Sequence, residues 1–194
     1  PAAQEEEASD CPFDVLYFGT IRPYKGLEHL IAAFDALSPD EVRGYRLTVV
    51  GETWEGWTLP AELIAASRHR DRIRFVNRYV DDSEAAGFFG SADAVVLPYL
   101  RSSASGPLHL AMAAGLPLAI TDVGGLREAA QDYAGAVFVP PGDAAALTHA
   151  IRALHSRRGM RYDDPHSWSR TVRAIESLAG TLLSPTAAPT DGQR

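Results

Sequence analysis

The stretch VLYFGTIRPYKGLEHLIAAFDAL, residues 15–37, decides the fold of this chain. Residues 15–18 form a short apolar run typical of a strand, and residues 27–37 carry apolar side chains at helical spacing. Glycine, proline and basic residues lie between the two segments, where the chain must turn. The stretch therefore predicts a strand followed by an amphipathic helix.

The same alternation continues along the chain. Further strands are predicted at residues 47–50, 73–76, 94–97, 118–120 and 136–139, and further helices at residues 59–68, 83–89, 108–114, 126–131, 144–154 and 168–183. The predicted strands are apolar throughout, which is typical of a parallel sheet covered on both faces. We therefore predict an α/β fold with a doubly wound, Rossmann-like parallel sheet of about six strands and helices on both faces.

Composition divides the chain into three parts. Residues 1–12 are acidic and residues 184–194 are rich in Pro, Thr and Ala, so neither segment can bury enough apolar surface to become ordered. We predict a flexible acidic linker at 1–12, one domain at 13–183 and a flexible tail at 184–194.

Charge and cysteine content exclude several function classes. A net charge of −7 argues against nucleic acid as the main partner, because phosphate-backbone binding needs a basic face. The single cysteine, Cys11, excludes an internal disulfide and a cysteine metal cage, and the histidines show no metal-ligand spacing. No apolar run reaches the roughly 18–20 residues of a membrane span, and the acidic N-terminus does not resemble a signal peptide. We expect a cytoplasmic chain without a metal.

Two turns carry the candidate chemistry. Arg22 and Lys25 follow the first strand, and a guanidinium fork and an ammonium three residues apart can grip one pyrophosphate. Downstream, Ser105 and Gly106 begin a helix whose unpaired N–H groups favour an anion. Together these turns predict a diphosphate site. The alternative is that Arg22 and Lys25 are surface charges beside a helix start.

Several segments also carry a family resemblance. They include YFGTIRPYKGLEHLI at residues 17–31, ADAVVLPY at residues 92–99 and SGPLHLAMAAGLPLAITDVGGLRE at residues 105–128. From residue 16 to residue 154 the chain resembles the C-terminal, nucleotide-sugar-binding domain of retaining glycosyltransferases with the two-lobed GT-B architecture. The similarity is to family 4, the glycogen synthase and mannosyltransferase-like group.

The resemblance implies a role for individual residues. Arg22 and Lys25 match the catalytic pair that holds the donor diphosphate and stabilises the departing nucleotide. The donor is a nucleoside diphosphate sugar, with no further cofactor, and the matching donor-binding positions are Gly19, Asn77, Tyr79, Val80, Ser103, Ser105, Gly106 and Pro107. Residues 77–80 would lie along the nucleobase, although Tyr79 could instead fill an interface below its loop. The acceptor site would come from an N-terminal lobe, in cis or in trans.

One departure from the family affects the functional prediction. Many members carry two glutamates eight positions apart, and those positions align with Ser102 and Leu110 here. Leucine cannot accept hydrogen bonds from a ribose, so we interpret Leu110 as helix core. The first hypothesis is the donor-binding domain of a retaining hexosyltransferase. The alternatives are a noncatalytic nucleotide-binding or interaction module with the same fold, and an epimerase or phosphorylase lobe. A phosphorylase would need a lysine that binds pyridoxal. The only lysine here, Lys25, lies in the phosphate turn instead.

Overall fold

Six short parallel strands form the centre of the computed structural model, which describes residues 11–167. They are β1 (Phe13–Phe18), β2 (Tyr45–Val50), β3 (Ile73–Val76), β4 (Ala94–Leu97), β5 (Leu118–Thr121) and β6 (Ala136–Val139). Their order in the sheet is β3-β2-β1-β4-β5-β6. The predicted doubly wound α/β fold is confirmed.

The helices connect consecutive strands. They are α1 (Leu27–Asp35), α2 (Leu59–Ala66), α3 (Asp82–Ser91), α4 (Gly106–Ala113), α5 (Gly124–Ala130) and, after β6, α6 (Ala144–His155). Three of them begin at side chains that cap a free backbone N–H: Asp81 for α3, Ser105 for α4 and Asp143 for α6. These caps set the first residue of each helix more sharply than apolar spacing does.

Alternate residues of each strand enter two separate cores. Val15 and Tyr17 of β1 pack on the face covered by α1 and α6, with Phe34 and Ile151 among their partners. Leu16 faces the opposite core, which contains Leu108 and Met112 of α4. Both faces of the sheet are therefore apolar, which explains why the strands lack an alternating sequence.

The strand order creates a switch point between β1 and β4. The chain moves outward from β1 to β2 and β3, and then returns to add β4 on the other side of β1. The loops that follow β1 and β4 therefore leave the sheet toward opposite faces and open a crevice between them. Both predicted phosphate turns follow these two strands.

The chain divides into two compact units, residues 1–163 and residues 164–194. Of the second unit, residues 164–167 are described. The predicted linker residues 1–10, the helix predicted at 168–183 and the tail predicted at 184–194 lie outside the described residues. Within residues 11–167, no helix combines the length and the apolar character needed to cross a membrane.

Candidate functional site

The loops after β1 and β4 are joined at the switch point. Gly26 has a φ of +62°, and a Cβ at this position would overlap the carbonyl oxygen of Pro98. The backbone N–H of Leu100 donates a hydrogen bond of 2.8 Å to the carbonyl oxygen of Tyr24. Glycine is therefore required at position 26 for two reasons, its backbone conformation and the close approach of the second loop.

The loop after β1 is also tied to the loop after β2. The N–H of Ile21 donates to the carbonyl of Glu52 at 2.8 Å, and the N–H of Trp54 donates to the carbonyl of Ile21 at 3.0 Å. These two hydrogen bonds fix the loop after β1 relative to the loop after β2. They place the Trp54 ring next to Arg22, the residue that follows Ile21 in sequence.

Arg22 and Lys25 both rest on aromatic rings. The guanidinium carbon of Arg22 lies 4.1 Å from the ring centroid of Trp54, and the Nζ of Lys25 lies 5.0 Å from that of Tyr99. Both side chains are half-buried. Neither forms an ion pair with a carboxylate in the part of the chain that the structure describes. This partial burial favours the predicted site over the alternative that they are ordinary surface charges.

The electrostatics of this pair favour an anion. Burial, and secondarily the positive charge of Arg22, lower the pKa of Lys25. Burial raises the pKa of Tyr99 to about 12, so its phenol stays neutral near pH 7 and does not compensate the ammonium beside it. Two neighbouring like charges in a partly dry site repel each other, and a bound anion would relieve that repulsion.

Gly19 brings the two predicted turns together. Its φ is +116°, and a Cβ there would lie 3.3 Å from the Nζ of Lys25 and 3.2 Å from the Cγ of Pro107. The ammonium group and the start of α4 therefore flank the same glycine. The sequence placed Gly19, Lys25 and Pro107 in one site, and the structure places these three residues side by side.

The start of α4 offers fewer donors than the sequence suggested. The Oγ of Ser105 is buried and accepts the N–H of Leu108 at 3.2 Å, so it serves as the helix cap. Pro107 has no N–H to donate. Among the first three residues of α4, Gly106 has an N–H that forms no hydrogen bond with any residue between 11 and 167.

A third cation, Arg101, lies in the loop after β4 and was missed by the sequence reasoning. Its guanidinium carbon lies 5.4 Å from the ring centroid of Tyr24. Tyr24 and Arg101 line a cavity of about 400 Å³ together with Ser102, Ser103 and Ala104. The sequence did contain a signal for Arg101. It is a basic residue in a loop that follows a strand and contains no acidic residue.

The loop predicted to lie along the nucleobase supports the loop after β2. The Oδ1 of Asn77 accepts hydrogen bonds from the N–H and the Oγ1 of Thr53, at 2.9 and 2.8 Å. Tyr79 is 74% exposed, so within the described residues it does not fill an interface below its loop. Val80 is partly buried against the core of α4. Asn77 thus fixes the residue before Trp54, and Tyr79 presents its ring to solvent.

The interpretation of Leu110 as helix core is wrong. Leu110 is 47% exposed, whereas the buried face of α4 carries Leu108, Ala111 and Met112. Positions three and four apart share one helix face, and residue 110 falls between them on the opposite face. The Oγ of Ser102, at the other position where the family carries glutamate, donates to the carbonyl of Ala104 at 2.9 Å.

Histidine and carboxylate side chains do not converge on this site. His109 is exposed on α4 next to the buried Leu108. Across residues 11–167, no three or more histidine, cysteine, aspartate or glutamate side chains are grouped so that they could hold a metal ion. The chemistry of the site therefore has to be argued from its cations, hydroxyls, aromatic rings and backbone amides.

Comparison with known proteins identifies the family. The family described as glycosyl transferases group 1 matches residues 12–157, and the chain belongs to this family. The glycogen synthase of Mycobacterium tuberculosis (strain ATCC 25618 / H37Rv) is 34% identical over 166 residues, which cover 84% of this chain and 37% of that protein. The D-inositol 3-phosphate glycosyltransferase of Geodermatophilus obscurus is 32% identical over 200 residues, covering 88% and 44%.

Solved structures share the fold. The sucrose-phosphate synthase of Thermosynechococcus elongatus matches with a TM-score of 0.69 and 26% identity, over 93% of this chain and 47% of its own. The C-terminal domain of a glycosyl transferase group 1 family protein from Francisella tularensis has a TM-score of 0.66 at 21% identity, over 79% and 81%. The predicted resemblance to one lobe of a GT-B glycosyltransferase is confirmed. The chain spans less than half the length of the curated relatives described above.

Proposed function

We propose that this member of the group 1 family is the donor-binding lobe of a retaining glycosyltransferase that transfers a hexose from a nucleoside diphosphate sugar. One observation carries the proposal. Arg22 and Lys25 lie half-buried at the switch point of the sheet, without a carboxylate partner among residues 11–167. In open α/β sheets this crevice is the usual place for a ligand, and uncompensated cations there favour an anionic one.

The two cations suit the chemistry of the leaving group. When the bond between the anomeric carbon and the diphosphate oxygen breaks, negative charge grows on the departing phosphate. The planar fork of Arg22 would bind two phosphate oxygens, and the ammonium of Lys25 would add a point charge from the same side. Donors placed where charge develops stabilise the transition state more than the ground state. With the charge supplied by side chains, the proposal needs no metal cofactor.

The remaining donor contacts follow from the surrounding loops. We assign the phosphates to the N–H of Gly106 and the hydroxyl of Ser103, in addition to the cations. We assign the nucleobase to the edge formed by Asn77, Tyr79 and Val80. The exposed ring of Tyr79 and the short contacts between Asn77 and Thr53 support this assignment, because they give a fixed loop with an available aromatic surface.

The acceptor side requires more than this chain. The names of the relatives, such as glycogen synthase and D-inositol 3-phosphate glycosyltransferase, indicate different acceptors. Each of these two relatives is more than twice as long as the segment that this chain matches. We propose that an N-terminal lobe, in cis or in trans, supplies the acceptor site. Arg22 and Lys25 do not specify the acceptor.

Calorimetric titration tests the donor site. The 194-residue chain is titrated with UDP, GDP and ADP and with their sugar conjugates, and the same series is repeated for Arg22→Ala and Lys25→Ala. We expect one base to bind with micromolar to millimolar affinity, and each substitution to weaken binding about tenfold or more, since hydrogen bonds to charged groups contribute about 1.5–3 kcal/mol. Arg43→Ala is the control.

Arg43 suits this purpose because it is an exposed arginine just before β2, at the opposite edge of the sheet. Its removal changes the net charge equally but should leave nucleotide affinity within twofold. If a folded chain binds no nucleotide, or if Arg43→Ala weakens binding as much as Arg22→Ala, the proposed donor site is wrong.

A noncatalytic nucleotide-binding module is the second candidate. The observation that favours it is the absence of an acidic side chain at Ser102 and Leu110, where many family members carry glutamate. Release of nucleoside diphosphate from a bound nucleotide sugar by the full-length protein distinguishes the two functions. Binding without release supports the module, and release that depends on Lys25 supports the transferase.

A further inference from the structure

The two loops at the switch point have an unusual charge composition. Residues 19–26 and 98–106 contain Arg22, Lys25 and Arg101 but no aspartate or glutamate, in a chain whose net charge is −7. Each of these cations rests on an aromatic ring. Elsewhere, arginines such as Arg46 and Arg152 form hydrogen-bonded ion pairs with carboxylates. The two loops therefore bring three cations to this crevice without a carboxylate on either loop.

A diphosphate accounts for two of the three cations. Arg22 and Lys25 lie on one loop, and they provide one cation for each phosphate group. Arg101 lies on the other loop, against the ring of Tyr24. The hydrogen bond from Leu100 to Tyr24 holds that loop in place, so Arg101 stays close to the diphosphate residues without belonging to their turn. The diphosphate does not account for the third cation, Arg101.

The cavity beside Arg101 has the size and the lining of a small-molecule subsite. Its volume of about 400 Å³ lies within the usual range of about 300–1,000 Å³ for such sites. Besides Arg101, the lining consists of Tyr24, Ser102, Ser103 and Ala104. Among residues 11–167, no carboxylate lines the cavity.

We propose that this cavity, the Arg101 pocket, binds a negatively charged group carried by a sugar. The group is either the carboxylate of an acidic donor sugar or the phosphate of a phosphorylated acceptor sugar, because a guanidinium recognises both. The inference rests on the proposed function, since the sugar must lie beside a diphosphate held by Arg22 and Lys25. A neutral sugar would gain little from an uncompensated cation in the wall of its pocket.

Two titration arms distinguish the source of the charge. In the first arm, UDP, UDP-glucose and UDP-glucuronate are titrated into the 194-residue chain, or GDP, GDP-mannose and GDP-mannuronate if guanine is the preferred base. In the second arm, glucose 6-phosphate and glucose are titrated into the chain saturated with the nucleoside diphosphate. Both arms are repeated for Arg101→Gln, Arg101→Lys and the control Arg72→Gln. Arg72 is exposed and lies before β3, at the opposite edge of the sheet.

The expected result is a preference for the acidic ligand in one arm. The acidic ligand should bind about three- to tenfold more tightly than its neutral counterpart, as one partly exposed ion pair allows. Arg101→Gln should remove that preference, Arg101→Lys should keep part of it, and Arg72→Gln should keep all of it. Affinity for the nucleoside diphosphate alone should not change. The arm that shows the preference identifies the donor sugar or the acceptor as the source.

Four outcomes overturn the inference. Equal affinity for acidic and neutral ligands in both arms shows that the pocket does not discriminate between charged and neutral ligands. A preference that survives Arg101→Gln in a variant with the wild-type unfolding curve shows that another residue reads it. Loss of affinity for the nucleoside diphosphate itself on Arg101→Gln makes Arg101 a diphosphate ligand. A wild-type chain that binds no nucleotide refutes the proposed function first, and the inference falls with it.

Discussion

Gly26 is buried although it lies in a loop, and replacing it by alanine should destabilise the chain far more than a typical loop substitution. Gly26 lies at the C-terminal end of the turn that contains Arg22 and Lys25, with a φ of +62°. A non-glycine residue in this left-handed region costs about 1–2 kcal/mol. An alanine at this position also meets a second obstacle, because its Cβ would overlap the carbonyl oxygen of Pro98, a backbone atom.

The overlap with the carbonyl oxygen of Pro98 adds to the expected loss of stability. Cβ atoms essentially never approach another atom closer than 3.0 Å, so one loop must move away from the other by about 1 Å. That movement would break the hydrogen bond from Leu100 to Tyr24, which contributes about 0.5–1.5 kcal/mol. With the cost of the backbone conformation, the expected loss is about 1.5–3.5 kcal/mol. That is a large part of the roughly 5–15 kcal/mol that stabilises a typical domain.

Gly159 provides a matched control. Its φ is +75°, but no atom lies within 4 Å of the position where a Cβ would be. Gly159→Ala should therefore cost only the backbone term of about 1–2 kcal/mol. Urea denaturation followed by circular dichroism gives the free energy of unfolding of both variants, and titration with the preferred nucleotide gives their affinity. Equal losses of stability for the two variants would refute the argument that Gly26 serves the contact between the loops.

Three other predictions test the electrostatics of the chain. Burial and Arg22 hold the pKa of Lys25 below 10.5, so the positive charge of Lys25 is lost as pH rises through that lowered value. Calorimetric titrations should therefore show that nucleotide affinity falls toward pH 10. The affinity of Lys25→Arg should persist at that pH. Trp54→Leu removes the ring beneath Arg22 and should weaken nucleotide binding about three- to tenfold with little change in unfolding free energy, while Trp54→Phe restores most of the affinity. Arg152 lowers the pKa of Glu41 to about 2, so this pair stabilises the fold above about pH 4.5 and the effect is lost toward pH 2; Glu41→Gln should flatten the pH dependence of stability in that window, measured by urea denaturation at each pH.

The fold was predictable because its determinants are local in sequence. Apolar runs that end in glycine or proline mark buried strands, and helical spacing marks the segments between them. The boundaries were less predictable where tertiary contacts decide them. Helix α2 was predicted to reach residue 68 but ends at Ala66, because Ser67 turns away to donate a hydrogen bond from its hydroxyl to Asp35.

The position of Leu110 could not be predicted for a different reason. Residues 108–114 are mostly apolar, so the segment contains no polar face that reveals which side meets the sheet. The register of α4 is set instead by its cap, Ser105, and by the packing of Leu108 and Met112 in the core. In a helix without amphipathic contrast, the exposed position is decided by tertiary structure alone.

The aromatic partners of the site were missed because they come from distant parts of the chain. Trp54 reaches Arg22 from the loop after β2, and Tyr99 reaches Lys25 from the loop after β4. Sequence spacing identifies residues that share one turn, such as Arg22 and Lys25, but it does not identify the side chains that other strands bring to them. The same limitation hid Arg101, whose neighbour Tyr24 precedes it by more than seventy positions.

The use of aromatic rings in place of carboxylates has a consequence for binding. A carboxylate paired with Arg22 would compete with an incoming phosphate, and the pair would have to separate before the anion could bind. The face of Trp54 instead orients the guanidinium, whose donors form no hydrogen bond with another residue in the described range 11–167. Lys25 above Tyr99 is held in the same way. The cations are thus fixed in position before any ligand arrives, which lowers the ordering cost of binding an anion at this edge of the sheet.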